Sequence, residues 1–463
     1  MENNKNTAMS FMQRYLQVDF YDVKKILLAG ATFFFIIGSY SILRSLKTSI
    51  FLGFVGREYE PLAKILTILT TIPAMMFHGK IVDKFKRHQA VCVFLGIYAV
   101  LSLVFAYFFA HPIYGLHNTQ TSPWRVIGWA FEIAMDLFQA LIVGTFWSFM
   151  TSISTTTFAT KGYGFIVACS RVGGILTPLI GWLVLEKSGF AHTTTIPFLT
   201  GITAFLLLGA IGCTYLIRHK IPAEYLYGYQ AAHDAAKAQA KSKTKTGVFE
   251  GLKLMLTEPY VMGIFGLVFS FEVINIMFDY QMHVLMSIET SNHVGAMSSF
   301  MFFYTGSFQA LSLVFALFGT SAMLKHFGVQ RCLFVMPIVT MILAILPVLS
   351  PHLATLFIVM VILRALNYGF SHPIREILFI PTVKDIQFKS KAWLDSFGRT
   401  FSKTTGSTFN MIAITQSPYL CIALESAFSF GLAIVWAVIA LFLGRKYIKT
   451  VEANSVIGQK ATK

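Results

Sequence analysis

The feature that most constrains this chain is the recurrence of apolar runs of the length a helix needs to cross a bilayer, about twenty residues. They fall at about 26–46, 61–79, 89–110, 125–150, 162–186, 195–217, 259–282, 294–319, 330–350, 353–374, 393–414 and 418–444. A backbone in hydrocarbon must satisfy its own hydrogen bonds, and runs of this length do so as helices. The expected fold class is therefore an all-α polytopic membrane protein of about 12 transmembrane helices. Composition agrees, since 55% of the 463 residues are hydrophobic and only 13% charged. That is too little charge to cover a soluble chain of this size. The five cysteines (Cys92, Cys169, Cys213, Cys332 and Cys421) all stand in apolar stretches and read as small hydrophobes. No spacing suggests a disulfide framework or a metal site.

The net charge of +16 would suggest nucleic acid in a soluble protein. In a membrane protein the first explanation is topology, because cytoplasmic loops collect Lys and Arg. Lys80, Lys84, Lys86 and Arg87 follow the second run, and Lys161 follows the fourth. Arg218, Lys220, Lys237, Lys241, Lys243, Lys245 and Lys253 fill the long stretch 218–258. Arg445, Lys446 and Lys449 follow the last run. The opposite loops show only Arg57, Arg125 and Lys187. Both termini are thus expected in the cytoplasm, with no nucleic-acid partner. The polar N-terminus lacks the apolar core of a signal peptide, and a bacterial inner membrane is the expected location.

The stretch 218–258, Ala- and Lys-rich in AAHDAAKAQAKSKTKTG, separates an N-terminal half, 1–217, from a C-terminal half, 259–463. Six helices, a cytoplasmic linker and six more resemble the major facilitator superfamily, which implies a substrate site between the halves near the midplane. Gly79, Asp83 and Arg87 have the G-x-x-x-D-x-x-x-R spacing found in that superfamily after its second span. A carrier that encloses its own path in one chain is expected to be a monomer.

Ionisable groups within spans usually face a bundle interior or a watery path. Arg44 and Lys47 are three apart on one helix face, and Glu132 and Asp136 four apart on another. Glu272 and Asp279 are seven apart in the seventh run; Arg171 and Arg364 stand alone in the fifth and tenth. Mutual pairing would lock helices together, and these four cations balance four acids. The basic excess lies further on. From Arg375 to Lys403 there are cations at 375, 384, 389, 391, 399 and 403 against Glu376, Asp385 and Asp395. Lys391, Asp395, Arg399 and Lys403 recur every four residues and would make one slowly winding stripe on a helix. Such a stripe should line water, with lipid headgroups the alternative for its outer end.

In this segment the sequence resembles the ATP/ADP translocase family of plastids and obligate intracellular bacteria. The match runs Arg375-Glu376-Ile-Leu-Phe-Ile-Pro381, then Phe388-Lys389-Ser-Lys391-Ala-Trp-Leu-Asp395, then Gly398, Lys403 and Gly406-Ser407. More thinly, Arg44-Ser-Leu-Lys47 stands where the family shows R-P-L-K, and Asp136-Leu-Phe where it shows E-L-W. Phe146-Trp147-Ser-Phe149 resembles its F-W-x-F, and Phe303-Tyr304-Thr-Gly306 its F-Y-T-G. The chain departs from the family at Asn275, where a glutamate stands, and at Arg171, where an uncharged residue stands.

The resemblance implies a nucleotide transporter, exchanging ATP for ADP or importing nucleotides with protons or phosphate as coupling ion. Lys47, Asp136 and Lys389 or Lys391 would take the family's charged positions. The chemistry is compatible, because Arg offers forked hydrogen bonds to phosphate and Lys a mobile point charge. Lys47, Arg44, Arg171, Arg364, Lys389, Lys391, Arg399 and Lys403 are the expected phosphate-binding cations. Asp136, Glu132, Glu272 and Asp279 would serve coupling or charge balance. Asn275, Trp147 and Tyr304 are available to the base. No G-x-x-x-x-G-K-[ST] loop occurs, so transport should run on gradients, with no catalytic residue, cofactor or metal. The fold alone would serve another solute equally well, such as an organic phosphate, a peptide or a drug.

Overall fold

The structure, a computed structural model, describes residues 19–226, 250–383, 386–413, 417–453 and 455–458. Most of the central linker and Lys384–Asp385 lie outside the described residues. The described residues are almost wholly helical, with one isolated bridge between Thr382 and Ile457. The chain is a multi-pass integral membrane protein. Ten described helices are long and apolar enough to cross a membrane, or eleven if the pair Met323–Cys332 and Val335–Leu349, bent by 77°, counts as one broken span. The one expected run left over, 393–414, differs. Its sequence RTFSKTTGSTF is too polar, and its helix too short, to qualify alone.

Contacts divide the chain into two compact units. The first holds Met1–Val55, Leu69–Thr244 and Val294–Gly306; the second holds Gly56–Ile68, Lys245–His293 and Ser307–Lys463. In the first unit, α1 (Phe20–Phe54) is central, packing against α4 (Val126–Phe138), α6 (Thr156–Lys187) and α7 (His192–Lys220). α3 (Arg87–Ala110) packs on α7. α2 (Glu60–Lys84) is shared between the units, and its middle turns expose Leu69, Ile72 and Met76, a face suited to lipid. α5 (Gly144–Ser152) continues α4 through a π-helical turn, Gln139–Val143.

Small residues line the crossing of α1 and α6. Thr177 of α6 donates to the Gly38 carbonyl oxygen of α1 at 2.9 Å, and Gly173, one turn earlier, lies against the backbone of Phe34. Small-residue faces let helix backbones approach in the absence of a hydrophobic force between lipid-solvated helices. Gly173→Ala is therefore expected to destabilise the protein by about 1–3 kcal/mol, because its methyl would press on the Phe34 carbonyl. Thermal unfolding in detergent would measure this, with Gly212→Ala, whose Cβ meets nothing, as the neutral control.

In the second unit α9 (Pro259–Glu289) is the buried axis. It follows the short α8 (Glu250–Thr257) and packs against α13 (Leu353–Leu366), α16 (Arg399–Ala413) and α17 (Pro418–Glu452). α10 (Val294–Val314) is shared between the units and passes through a π turn into α11 (Thr320–Cys332). α12 (Val335–Leu349) packs on α17. α13 runs through the π turn Asn367–Ser371 into α14 (His372–Leu378). Two more π turns, Ile386–Ser390 and Leu394–Gly398, flank the three-residue α15 (Lys391–Trp393) before α16. π turns inside helices are rare and often mark functional sites.

Candidate functional site

In the first unit one buried lysine bridges two acids. Lys47, in the penultimate turn of α1, is buried and places Nζ 3.0 Å from Glu132 Oε1 and 2.5 Å from Asp136 Oδ1. The i,i+4 spacing of the two acids puts both on one face of α4, so a single ammonium bridges them. Arg44 lies almost one turn earlier on the same face of α1, half-buried, and Arg171 is half-buried in α6. The Trp147 ring packs edge-on to Phe33 at 5.3 Å and to Tyr163 at 5.1 Å. Tyr304 is buried.

The second unit holds two charged groups, spaced along α9. In the first, Arg399 Nη1 lies 3.1 Å from Glu272 Oε1, and its Nε lies 3.3 Å from Asp395 Oδ1. Lys391 reaches Glu376 of α14. Arg375 sits beside them in α14, 5% exposed, and neither terminal nitrogen has a hydrogen-bond partner among the described residues. The charges acting on it are those of Arg399, Glu272, Asp395 and Glu376. The second group lies two turns along α9. Arg364 of α13 places Nη2 2.7 Å from Asp279 Oδ2 and donates from Nε to Asn275 Oδ1 at 3.1 Å. His283 stands 2.8 Å from Glu60 through Nδ1 and 3.6 Å from Asp279 through Nε2.

Several expectations are modified by this arrangement. The stripe Lys391–Asp395–Arg399–Lys403 is not one helix face, because π turns interrupt it. Lys391 turns to α14, Arg399 turns to α9 and Lys403 is exposed. The Lys389 side chain lies outside the described residues. His283, near the C-terminal end of α9, is buried. The balance of four cations against four acids also omits Glu425. That residue is buried in α17, and its only hydrogen-bond donor among the described residues is Gln281, 2.6 Å away. Arg375 is a further omission. It opens the signature run, but nothing in its spacing announces that α14 turns it inward.

Solved structures give the class. The chain adopts a major-facilitator-like transporter fold, aligning with a POT family transporter in complex with 5-aminolevulinic acid. That match has a TM-score of 0.59 and 12% identity, covering 91% of this chain and 96% of the other. At such identity the likeness concerns the fold alone. The chain belongs to the TLC ATP/ADP transporter family, whose sequence model matches residues 1–349. Similarity to individual carriers runs further, over the segment from Arg375 to Ser407 as well. ADP,ATP carrier protein 1 of Rickettsia prowazekii is 22% identical, with 94% of this chain and 96% of the relative covered. The carrier of the same name from Chlamydia muridarum is 21% identical, with 94% and 91% covered.

Proposed function

We propose that this protein exchanges nucleoside di- and triphosphates across a bacterial inner membrane by alternating access, as a monomer with both termini cytoplasmic. The observation that carries this reading is Arg375, a buried guanidinium whose terminal nitrogens lack acceptors among the described residues, beside Arg399 and Lys391. Buried cations without acceptors are costly, and a phosphate supplies pairs of charged oxygen acceptors that suit the planar guanidinium fork. Three further cations of the expected set are held by carboxylates: Lys47 by Glu132 and Asp136, Arg399 by Glu272 and Asp395, and Arg364 by Asp279.

These acids act as stand-ins for phosphate. A polyphosphate reaching the second unit draws Arg364 and Arg399 away from their carboxylates, and a phosphate reaching Lys47 in the first unit does the same there. When it leaves, the pairs re-form, and no cation is left bare in a low-dielectric interior. Re-formed pairs hold the unloaded carrier in place until another nucleotide opens them, which favours one-for-one exchange over leak. Asn275, tied to Arg364, and Trp147, in its aromatic cluster, are the groups assigned to the base.

Radiolabelled ATP uptake into proteoliposomes tests the reading. Uptake is expected only when the vesicles are preloaded with ADP or ATP, and Lys391→Ala should raise the half-saturating ATP concentration roughly tenfold by removing one charge-assisted contact. Absence of uptake with every nucleotide tried would remove the cargo assignment. Uptake into empty vesicles at the same rate would remove the exchange mode.

A further inference from the structure

The four acids expected to serve coupling or balance each have a Lys or Arg within ion-pair distance: Glu132 and Asp136 with Lys47, Glu272 with Arg399, and Asp279 with Arg364. Glu425 is different. It is 4% exposed, eight residues into α17, and flanked by the outward-facing Leu424 and Phe428. Oε2 accepts from Gln281 Nε2 at 2.6 Å, whereas Oε1 is buried with no partner among the described residues.

Among the described residues, the elements packed on α17 bring no cation to Glu425. α12 carries no titratable side chain at all. α11 meets α17 near its far end, where Gln330 lies against Gly444. α16 meets it through the Phe409–Phe428 rings, with Lys403 exposed and Arg399 on Glu272 six and ten residues earlier. α9 presents Gln281 and Tyr280, while its Asp279 and His283 are held by Arg364 and Glu60. Tyr280 also lies within the influence of Glu58, Glu60 and Arg57, which sit around the start of α2.

An ionised carboxylate in hydrocarbon with one amide donor is strongly disfavoured, and such a group takes up a proton instead. Gln281 Oε1 and, one turn along α17, Ser429 Oγ are likewise buried without partners among the described residues. We infer that Glu425, with Gln281, is a proton-binding site, holding a neutral carboxyl in this conformation and releasing its proton to water when another conformation wets it. The inference rests on the nucleotide-exchange reading for its purpose. A nucleoside triphosphate carries one more negative charge than the diphosphate it replaces. A proton bound as Glu425–COOH and released as COO⁻ plus H⁺ on the opposite side would balance that difference.

The test uses proteoliposomes of the full chain, with ATP outside and ADP inside, at equal pH and with the outside one unit more acidic. For one proton per exchange, the acid gradient is expected to change the equilibrium ATP distribution by about tenfold. Glu425→Gln, an isosteric mimic of the neutral carboxyl, should lose that response and keep ADP-for-ADP self-exchange. Glu425→Asp should regain part of the response. Self-exchange without any effect of the pH gradient in the natural protein overturns the inference and leaves the nucleotide reading standing, as does an unchanged gradient response in Glu425→Gln. If no nucleotide moves at all, infrared spectroscopy decides separately. A protonated-carboxyl band at neutral pH that disappears in Glu425→Gln supports the site, and a spectrum unchanged by the substitution overturns it.

Discussion

Lys47→Ala is expected to abolish nucleotide exchange and to cost about 3–5 kcal/mol of stability, the usual scale for removing one partner of a buried ion pair. The size follows from geometry. Lys47 bridges Glu132 at 3.0 Å and Asp136 at 2.5 Å, so its loss deprives two carboxylates of their bridging cation. The two effects separate in a combined variant. Replacing Lys47 by Met, Glu132 by Gln and Asp136 by Asn should recover most of the lost stability, since a neutral isosteric set removes the buried charges altogether. It should not recover exchange, because no ammonium remains for phosphate. Thermal unfolding together with uptake measures both. Exchange by Lys47→Ala at the natural rate would show that the triad is purely structural.

The second large effect has opposite signs in its two readouts. Arg375→Met should leave the protein as stable as before or more stable by about 1–4 kcal/mol, as found when well-packed apolar side chains replace buried ionic groups. The reason is that neither terminal nitrogen of Arg375 has an acceptor among the described residues. Exchange should nevertheless fall by at least about a hundredfold, the loss expected for one bidentate charge-assisted phosphate contact of about 3 kcal/mol. Arg375→Lys keeps the charge but loses the fork, and should fall between the two. A marked drop in melting temperature for Arg375→Met would mean that the guanidinium is a structural group and would refute the phosphate assignment.

The fold was legible because bilayer thickness writes itself directly into run length, and the two acid positions of α4 were legible because i,i+4 spacing fixes a shared face. Pairings between helices were not. Glu272 with Arg399 is a contact across 127 positions, and Asp279 with Arg364 is set by the rotation of α13 on α9; neither follows from spacing along one helix. Glu60 and His283 escaped for a related reason. Glu60 stands at the very edge of an apolar run, where an acid looks like an ordinary loop charge, and only packing against α9 buries it. Glu425 lies well inside the last run and is a single acid with no cation at helical spacing. Such a residue merits attention from sequence alone, because a solitary acid in a span has no local partner to explain it.

The π turns around Lys391 and Arg399 have a consequence for insertions and deletions. A π turn holds one residue more than the α turn it replaces, because its hydrogen bonds run i to i+5. Removing one residue from Ile386–Ser390 or from Leu394–Gly398 could therefore close the turn to α geometry without moving either end. The same deletion within α16 would rotate every later side chain by about 100°. Length changes of one residue should be tolerated by folding within these two short windows and nowhere else nearby. Motif spacing counted across them is accordingly a poor guide to which side chains face one another.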